Sequence, residues 1–405
     1  MDLLAVVNIF FILLTLSIDM SVNAQTREFN VLNYGAVGNG QVDDSVAFVK
    51  AWNEACQVVE VTPTVVIPKG KTFLVQPLTF AGPCKSSNIN IILSGVIKAP
   101  DGPKNWKGKD ISTWILFKDI TGLNVDGFGT VDGKGKGWWD ISCKINKRKG
   151  CGTLAPTAFR FQSCKHLKIR NINLINSAQT HISLLGCQDV EISSSTIQSP
   201  GNSPNTDGIH LQSSTQVSIH NIEIGDGDDC ISIGDDISYI NITEVICGPG
   251  HGISIGSLGK GGSVVNVHDI TVSHVNFKET TNGARIKTWQ VGKGTVQHVM
   301  FSNMNFTNVR NPIIIDQYYC DVANECEKTD TGVQISDVQY NEAFGTSQTE
   351  VAINLNCSHN VPCKNIKLNT IKLTSTVPRN QVVCKCNFAH GVGIGVVIPK
   401  SCLEP

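Results

Sequence analysis

The chain has 405 residues, 41% of them hydrophobic, with 33 basic and 34 acidic side chains. A balance this close to neutral argues against a nucleic-acid partner, which needs a strongly basic surface. The length would suit two or three average domains, or one elongated β domain.

Residues 3–18 (LLAVVNIFFILLTLSI) are mostly apolar and are followed by Val22-Asn23-Ala24 before Gln25. The run is too short and too interrupted for a membrane span and predicts a secretory leader, residues 1–24, cut after Ala24. Asp2 departs from the usual basic start of such a leader. Losing Asp2 and Asp19 with it leaves 33 basic against 32 acidic residues. No later segment is long and apolar enough to cross a bilayer, so residues 25–405 are expected to form one soluble, exported, monomeric domain.

Residues 28–40 (EFNVLNYGAVGNG) predict a strand and a glycine-rich turn. Asp44 is a suitable N-cap, and Val46, Val49, Trp52 and Cys56 follow at helical spacing. Such a helix would cover the open end of a solenoid.

From residue 123 onward the pattern apolar-x-apolar-x-x-apolar-x-apolar recurs. It begins as L-N-V-D-G-F at 123–128, and copies start at 167, 190 (with the small Ser195 at one apolar position), 217, 240, 270, 299, 333 and 366. Each copy predicts two short strands joined by a bend. From residue 169 to 368 the third position steps by 23, 27, 23, 30, 29, 34 and 33, a solenoid period with loops of growing length. The two-residue apolar period disfavours a helical repeat, and a β-sandwich needs no fixed period. The expected fold is all-β: a single right-handed parallel β-helix with a short N-terminal capping helix. A second strand series precedes the repeats, at 180–187, 209–211, 231–233, 253–255, 285–287, 312–316 and 351–355.

That second series carries the chemistry. Aligning Ile209, Ile231 and Ile253 puts Asp207, Asp229 and His251 at one position, with offsets of 22 and 22. If each offset is one turn, the three stack on neighbouring rungs roughly 4.8 Å apart. Asp228 lies beside them, and Asp226 adds a further acid. Crowded carboxylates raise at least one pKa and leave a protonated acid beside an ionised one. Glycoside hydrolysis uses that pair. A D-D pair alone would more often be a turn or a calcium site, and a lone His251 would be structural; their recurrence at one rung position favours chemistry. Arg285 and Lys287 share a strand face and either pair with the column or bind a substrate carboxylate. The basic loop 144–149 (KINKRK) reads first as a solvated loop, with a groove-side contact to a polyanion as the alternative.

Fifteen cysteines fit an oxidising compartment and leave one unpaired or bonded between chains. Spacing suggests pairing Cys230 with Cys247, Cys320 with Cys326, Cys357 with Cys363 and Cys143 with Cys151. Cys164 and Cys187 would meet as a disulfide or as stacked thiols. Cys384-Lys385-Cys386 lacks the second pair that a zinc site would need. Sequons stand at Asn241, Asn305 and Asn356. Alternation turns Asn241 and Asn305 outward for a glycan, and Asn356 beside Cys357 is less accessible.

N-T-D (205–207), G-D-D (227–229), G-H-G (250–252) and R-I-K (285–287), with the turn N-Y-G-A-V-G-N-G (33–40), together resemble the polygalacturonases of glycoside hydrolase family 28. The similarity extends over nearly the whole mature chain. It implies inverting hydrolysis of the α-1,4 bonds of polygalacturonic acid, the backbone of pectin, without metal or other cofactor. On that resemblance Asp228 is the general acid, Asp207 and Asp229 hold and activate water, and His251 supports the acid. Asn205, Arg285 and Lys287 would bind the sugar carboxylate, and Tyr319 matches a downstream tyrosine. Spacing alone leaves retention and inversion both open. The runs 203–210 and 248–259 are most similar to plant pollen-type exo-acting members, which implies release of galacturonate from chain ends by a secreted cell-wall enzyme. An endo-acting enzyme, a calcium-dependent pectate lyase and a non-catalytic pectin-binding β-helix are the competing readings.

Overall fold

The computed structural model describes residues 26–107, 110–145, 154–321, 326 and 329–405. The leader, Cys151 and residues 146–149 of the basic loop lie outside them. Among the described residues no helix is long and apolar enough to cross a membrane.

Every strand pairing is parallel, and strands join neighbours one turn of chain away. This is a parallel β-helix, wound in the right-handed sense that parallel crossovers take. One face is an 11-stranded sheet that contains the second strand series. The repeats form the remaining wall. Their bend falls at the fifth position of each copy, where one residue is left-handed: Asn171, Ser194, Asn221, Glu244, His274 and Asn303. A left-handed residue turns the strand direction within one residue, so the apolar positions on both sides of the bend still face inward.

The inward residues stack in register, as in Ile169 on Ile192, then Ile219, Ile242, Val272 and Phe301. All six are buried. One repeat was framed wrongly. Phe301 pairs with Tyr340, and Tyr340 with Leu368, so the copy read at 333–340 belongs five residues later. Its last apolar position there is Gly345, where a Cβ would strike the Phe306 carbonyl. Close backbone approach removed the apolar signal that defined the pattern.

The helix Ser45–Ala55 covers the first rungs with Phe48, Ala51, Trp52 and Ala55, while Val46 is exposed. Its buried stripe is thus displaced from the expected one, because Trp52 and Phe48 meet Phe80 and Phe73 and set the rotation of the helix. Asp44 stands at the N-cap but makes no side-chain cap bond. Its carboxylate instead accepts from the Val37 and Gly38 amides at 2.7 and 3.2 Å, closing the glycine-rich turn.

Disulfides join Cys230 to Cys247, Cys320 to Cys326 and Cys357 to Cys363, as expected, and also Cys56 to Cys84. Cys143 is disulfide-bonded. Cys164 and Cys187 are buried free thiols. Cys402 lies within bonding reach of both Cys384 and Cys386, of which one sulfur can bond at a time.

Candidate active site

Register brings the chemistry together. Ile209 pairs with Ile231, and Ile231 with Ile253, so Asp207, Asp229 and His251 stand at one position on three rungs. Asn282 continues the column on the next rung. Two glycines permit this closeness. A Cβ on Gly227 would strike the Ser203 carbonyl, and Gly252 has φ +85° against the Asn282 carbonyl.

A cleft of about 570 Å³ opens over these residues. Asn205, Asp207, Asp228, Asp229, His251, Arg285, Lys287 and Tyr319 all line it, so every site residue expected from the sequence reaches one cleft. Four more residues join the site: His210, Ser232, Ser254 and Lys144. His210, Ser232, Ser254 and Arg285 stack outward in register from consecutive strands. Lys144 enters from the basic loop.

Asp207 accepts from Ser232 Oγ at 2.8 Å, and His210 Nδ1 lies 2.8 Å from the same hydroxyl. Ser232 has one proton to give, so His210 donates to it and carries its hydrogen on Nδ1. Burial holds His210 near pKa 4 and therefore neutral. Asp207 itself is pushed up to about 8, by burial first and then by the charges of Asp228 and Asp229. The expected protonated acid is present, with burial as the larger cause. Asp226 is also raised well above the carboxylate range by burial.

Asp228 goes the other way. Burial would raise its pKa, but the His251 hydrogen bond and charge and the Lys144 ammonium outweigh burial and hold it low. Oδ1 is 2.9 Å from His251 Nδ1 and accepts from the Asp229 amide at 3.0 Å. Oδ2 pairs with Lys144 Nζ and accepts from Asn205 Nδ2 at 3.4 Å.

Asp229 is 2% exposed. It accepts from Ser254 Oγ at 2.9 Å, Arg285 Nη2 at 2.6 Å and Lys287 Nζ at 2.9 Å. The column-pairing reading of Arg285 and Lys287 is what the structure contains. Lys287 also sits 5.3 Å over the Tyr319 ring. Arg285 keeps three unused N–H donors and Lys287 two, so both retain capacity for an incoming anion. A metal ion on Asp228, Asp229 and His251 would compete with three ammonium and guanidinium groups already on the two carboxylates. The donor set does not suit one.

Residues 56–397 match the sequence profile of Glycosyl hydrolases family 28. The chain belongs to that family. It is therefore a glycoside hydrolase. The chain is 41% identical to a polygalacturonase of Persea americana, over 90% of this chain and 78% of that protein. It is 41% identical to a polygalacturonase of Malus domestica, over 93% of this chain and 80% of that one. Among solved structures, the endo-xylogalacturonan hydrolase of Aspergillus tubingensis superposes with a TM-score of 0.77 at 23% identity. That match covers 92% of this chain and 100% of the other and reports the shared fold.

Proposed function

We propose that this chain is a secreted, monomeric polygalacturonase that hydrolyses the α-1,4 bonds of polygalacturonic acid in the plant cell wall. The observation that carries this reading is the cleft itself: three acids and a histidine lie beside two cations that keep unused donors. Residues 1–24 would be its leader and 25–405 its catalytic domain. The disulfides agree with export.

In the proposed reaction Asp228 gives a proton to the leaving glycosidic oxygen as the C1–O bond breaks. Water attacks C1 from the opposite face, held by Asp207 and Asp229, and its proton passes to Asp207. The product is the inverted hemiacetal. His251 orients Asp228 through the 2.9 Å contact. Asn205, Arg285, Lys287 and Tyr319 would hold the sugar carboxylate, where Arg supplies paired donors. The calcium-lyase alternative loses support from the family membership and from the occupied carboxylates.

We further propose exo action from the non-reducing end. Lys144 and Asp321 both line the cleft, Asp321 paired with Lys260 at 2.8 Å, and would restrict a chain passing through. Incubation with a defined oligogalacturonide should give, at early times, galacturonate and the oligomer one unit shorter, with no other length. Early release of several oligomer lengths would replace this by endo action. Asp228→Asn should lower kcat by about 10²–10⁴ with an unchanged circular dichroism spectrum; an intact rate would end the role given to Asp228.

A further inference from the structure

The contacts within the acid cluster favour a proton on Asp207 over one on Asp228, the reverse of what the proposed reaction needs. Asp228 must deliver a proton, yet its Oδ2 is paired with Lys144. Asp207 must receive one, yet burial and its neighbours keep it protonated. This is the distribution that an inverting hydrolysis leaves behind: base protonated, acid spent. Each turnover then requires one proton to pass from Asp207, or from solvent, back to Asp228.

We propose that Lys144 is a displaceable counter-ion: a galacturonate carboxylate entering the cleft draws its ammonium away from Asp228 and lets Asp228 take up the proton. The inference rests on the polygalacturonase reading and adds a substrate-binding and switching role for a residue outside the family's motifs.

Three observations carry it. First, Lys144 comes from a different part of the chain from the rungs, 84 residues before Asp228, and stands next to the disulfide-bonded Cys143. The neighbouring disulfide anchors its backbone, and its long, exposed side chain reaches across to Asp228. Second, the other two cations are locked. The Arg285 and Lys287 side chains are 14% and 9% exposed against a buried Asp229, whereas that of Lys144 is 43% exposed. A carboxylate arriving from solvent meets the exposed cation at least cost in broken buried contacts. Third, the two oxygens of Asp228 are divided. Oδ1 is fixed by His251 and the Asp229 amide, so departure of Lys144 leaves Oδ2 with only the 3.4 Å bond from Asn205, and Oδ2 is the oxygen able to bear the proton.

The groups facing Asp228 are Lys144 from the loop, and Asp207, Asp226, Asp229, His251, Arg285 and Lys287 from the rungs. Of the charged groups in direct contact with Asp228 among the described residues, Lys144 has the more exposed side chain, 43% against 30% for His251. When Lys144 moves to the substrate, Asp228 loses a positive neighbour and gains a negative one nearby, and both changes favour the protonated form. The exchange is Asp207-H with ionised Asp228 going to ionised Asp207 with Asp228-H, with no net change in protons.

The test compares wild type, Lys144→Gln and Lys144→Arg on trigalacturonate across pH, with thermal melting as a check on folding. Wild-type release of reducing ends establishes the hydrolase reading first, and its absence would sink that reading independently. The profile of kcat/KM reports the free enzyme and that of kcat the bound complex. In Lys144→Gln, KM should rise about tenfold, and the acidic limb of kcat/KM should move up by about one pH unit. The acidic limb of kcat should stay in place, because substrate has already displaced Lys144 there. Lys144→Arg should keep KM within about threefold of wild type. Parallel movement of both limbs would mean that Lys144 stays on Asp228 throughout, and unchanged KM and limbs would mean that it does neither job. Either result overturns the proposal.

Discussion

Asp207 and Asp228 have the same side chain and stand one rung apart, yet they sit on opposite sides of the usual carboxylate range. Asp207 is buried with a neutral His210–Ser232 pair for company. Asp228 has a histidine, a lysine and an amide. The difference has a consequence for stability. The folded pKa of Asp207, about 8, lies above its unfolded value, so the folded state binds the proton more tightly. That contribution is fully present below about pH 4 and is lost as pH rises toward 8. Asp207→Asn removes it. The melting temperature of this variant, relative to wild type, should therefore rise between pH 4 and pH 8, and a difference independent of pH would contradict the assignment. Residue identity made the column legible, since aspartates and a histidine at 22-residue offsets need no structure to be noticed. Lys144 was not legible as a member. It lies in a loop with no period, and a basic loop looks the same whether it faces water or an acid.

At the scale of the element, the rung is what places each acid, and the disulfide Cys230–Cys247 ties two of them at the site. Cys230 follows Asp229 directly, and Cys247 ends the strand Ile237–Cys247 that leads to His251. Closing a loop of this size contributes about 3 kcal/mol in the chain-entropy account. Replacing both by alanine should lower the melting temperature under non-reducing conditions and lower activity on polygalacturonate as well. A variant with wild-type activity would show that the rungs hold the acids without the bridge. Strand register was readable wherever chain turns lacked insertions, as from Ile209 to Ile253. It failed at Tyr340, where Gly345 makes room for the Phe306 carbonyl. Helix rotation failed similarly: Val46 and Phe48 both fit a helical stripe, and only the aromatic surface beneath, Phe73 and Phe80, decides between them.

Over the whole molecule, the cleft occupies one wall and two of the three sequons another. Asn241 and Asn305 lie exposed on strands Ile237–Cys247 and Lys293–Val309 of the repeat wall. Asn356 is half-buried on the 11-stranded sheet, where Asn387 donates to it at 2.9 Å. Mass spectrometry of the secreted protein should find glycans at Asn241 and Asn305 and none at Asn356. Enzymatic removal of those glycans should leave kcat/KM unchanged, and a large loss would place a glycan at the substrate path.

Each coil of the solenoid closes through its own loop, while the acids come from positions where the coils are shortest and most regular. Residues can thus be added to the chain between Trp139 and Thr157, or between Asp316 and Val333, without altering the spacing of the acids. Descendants of such a gene could change which polymer they admit through loop insertions alone. The bond-cutting apparatus would be inherited intact.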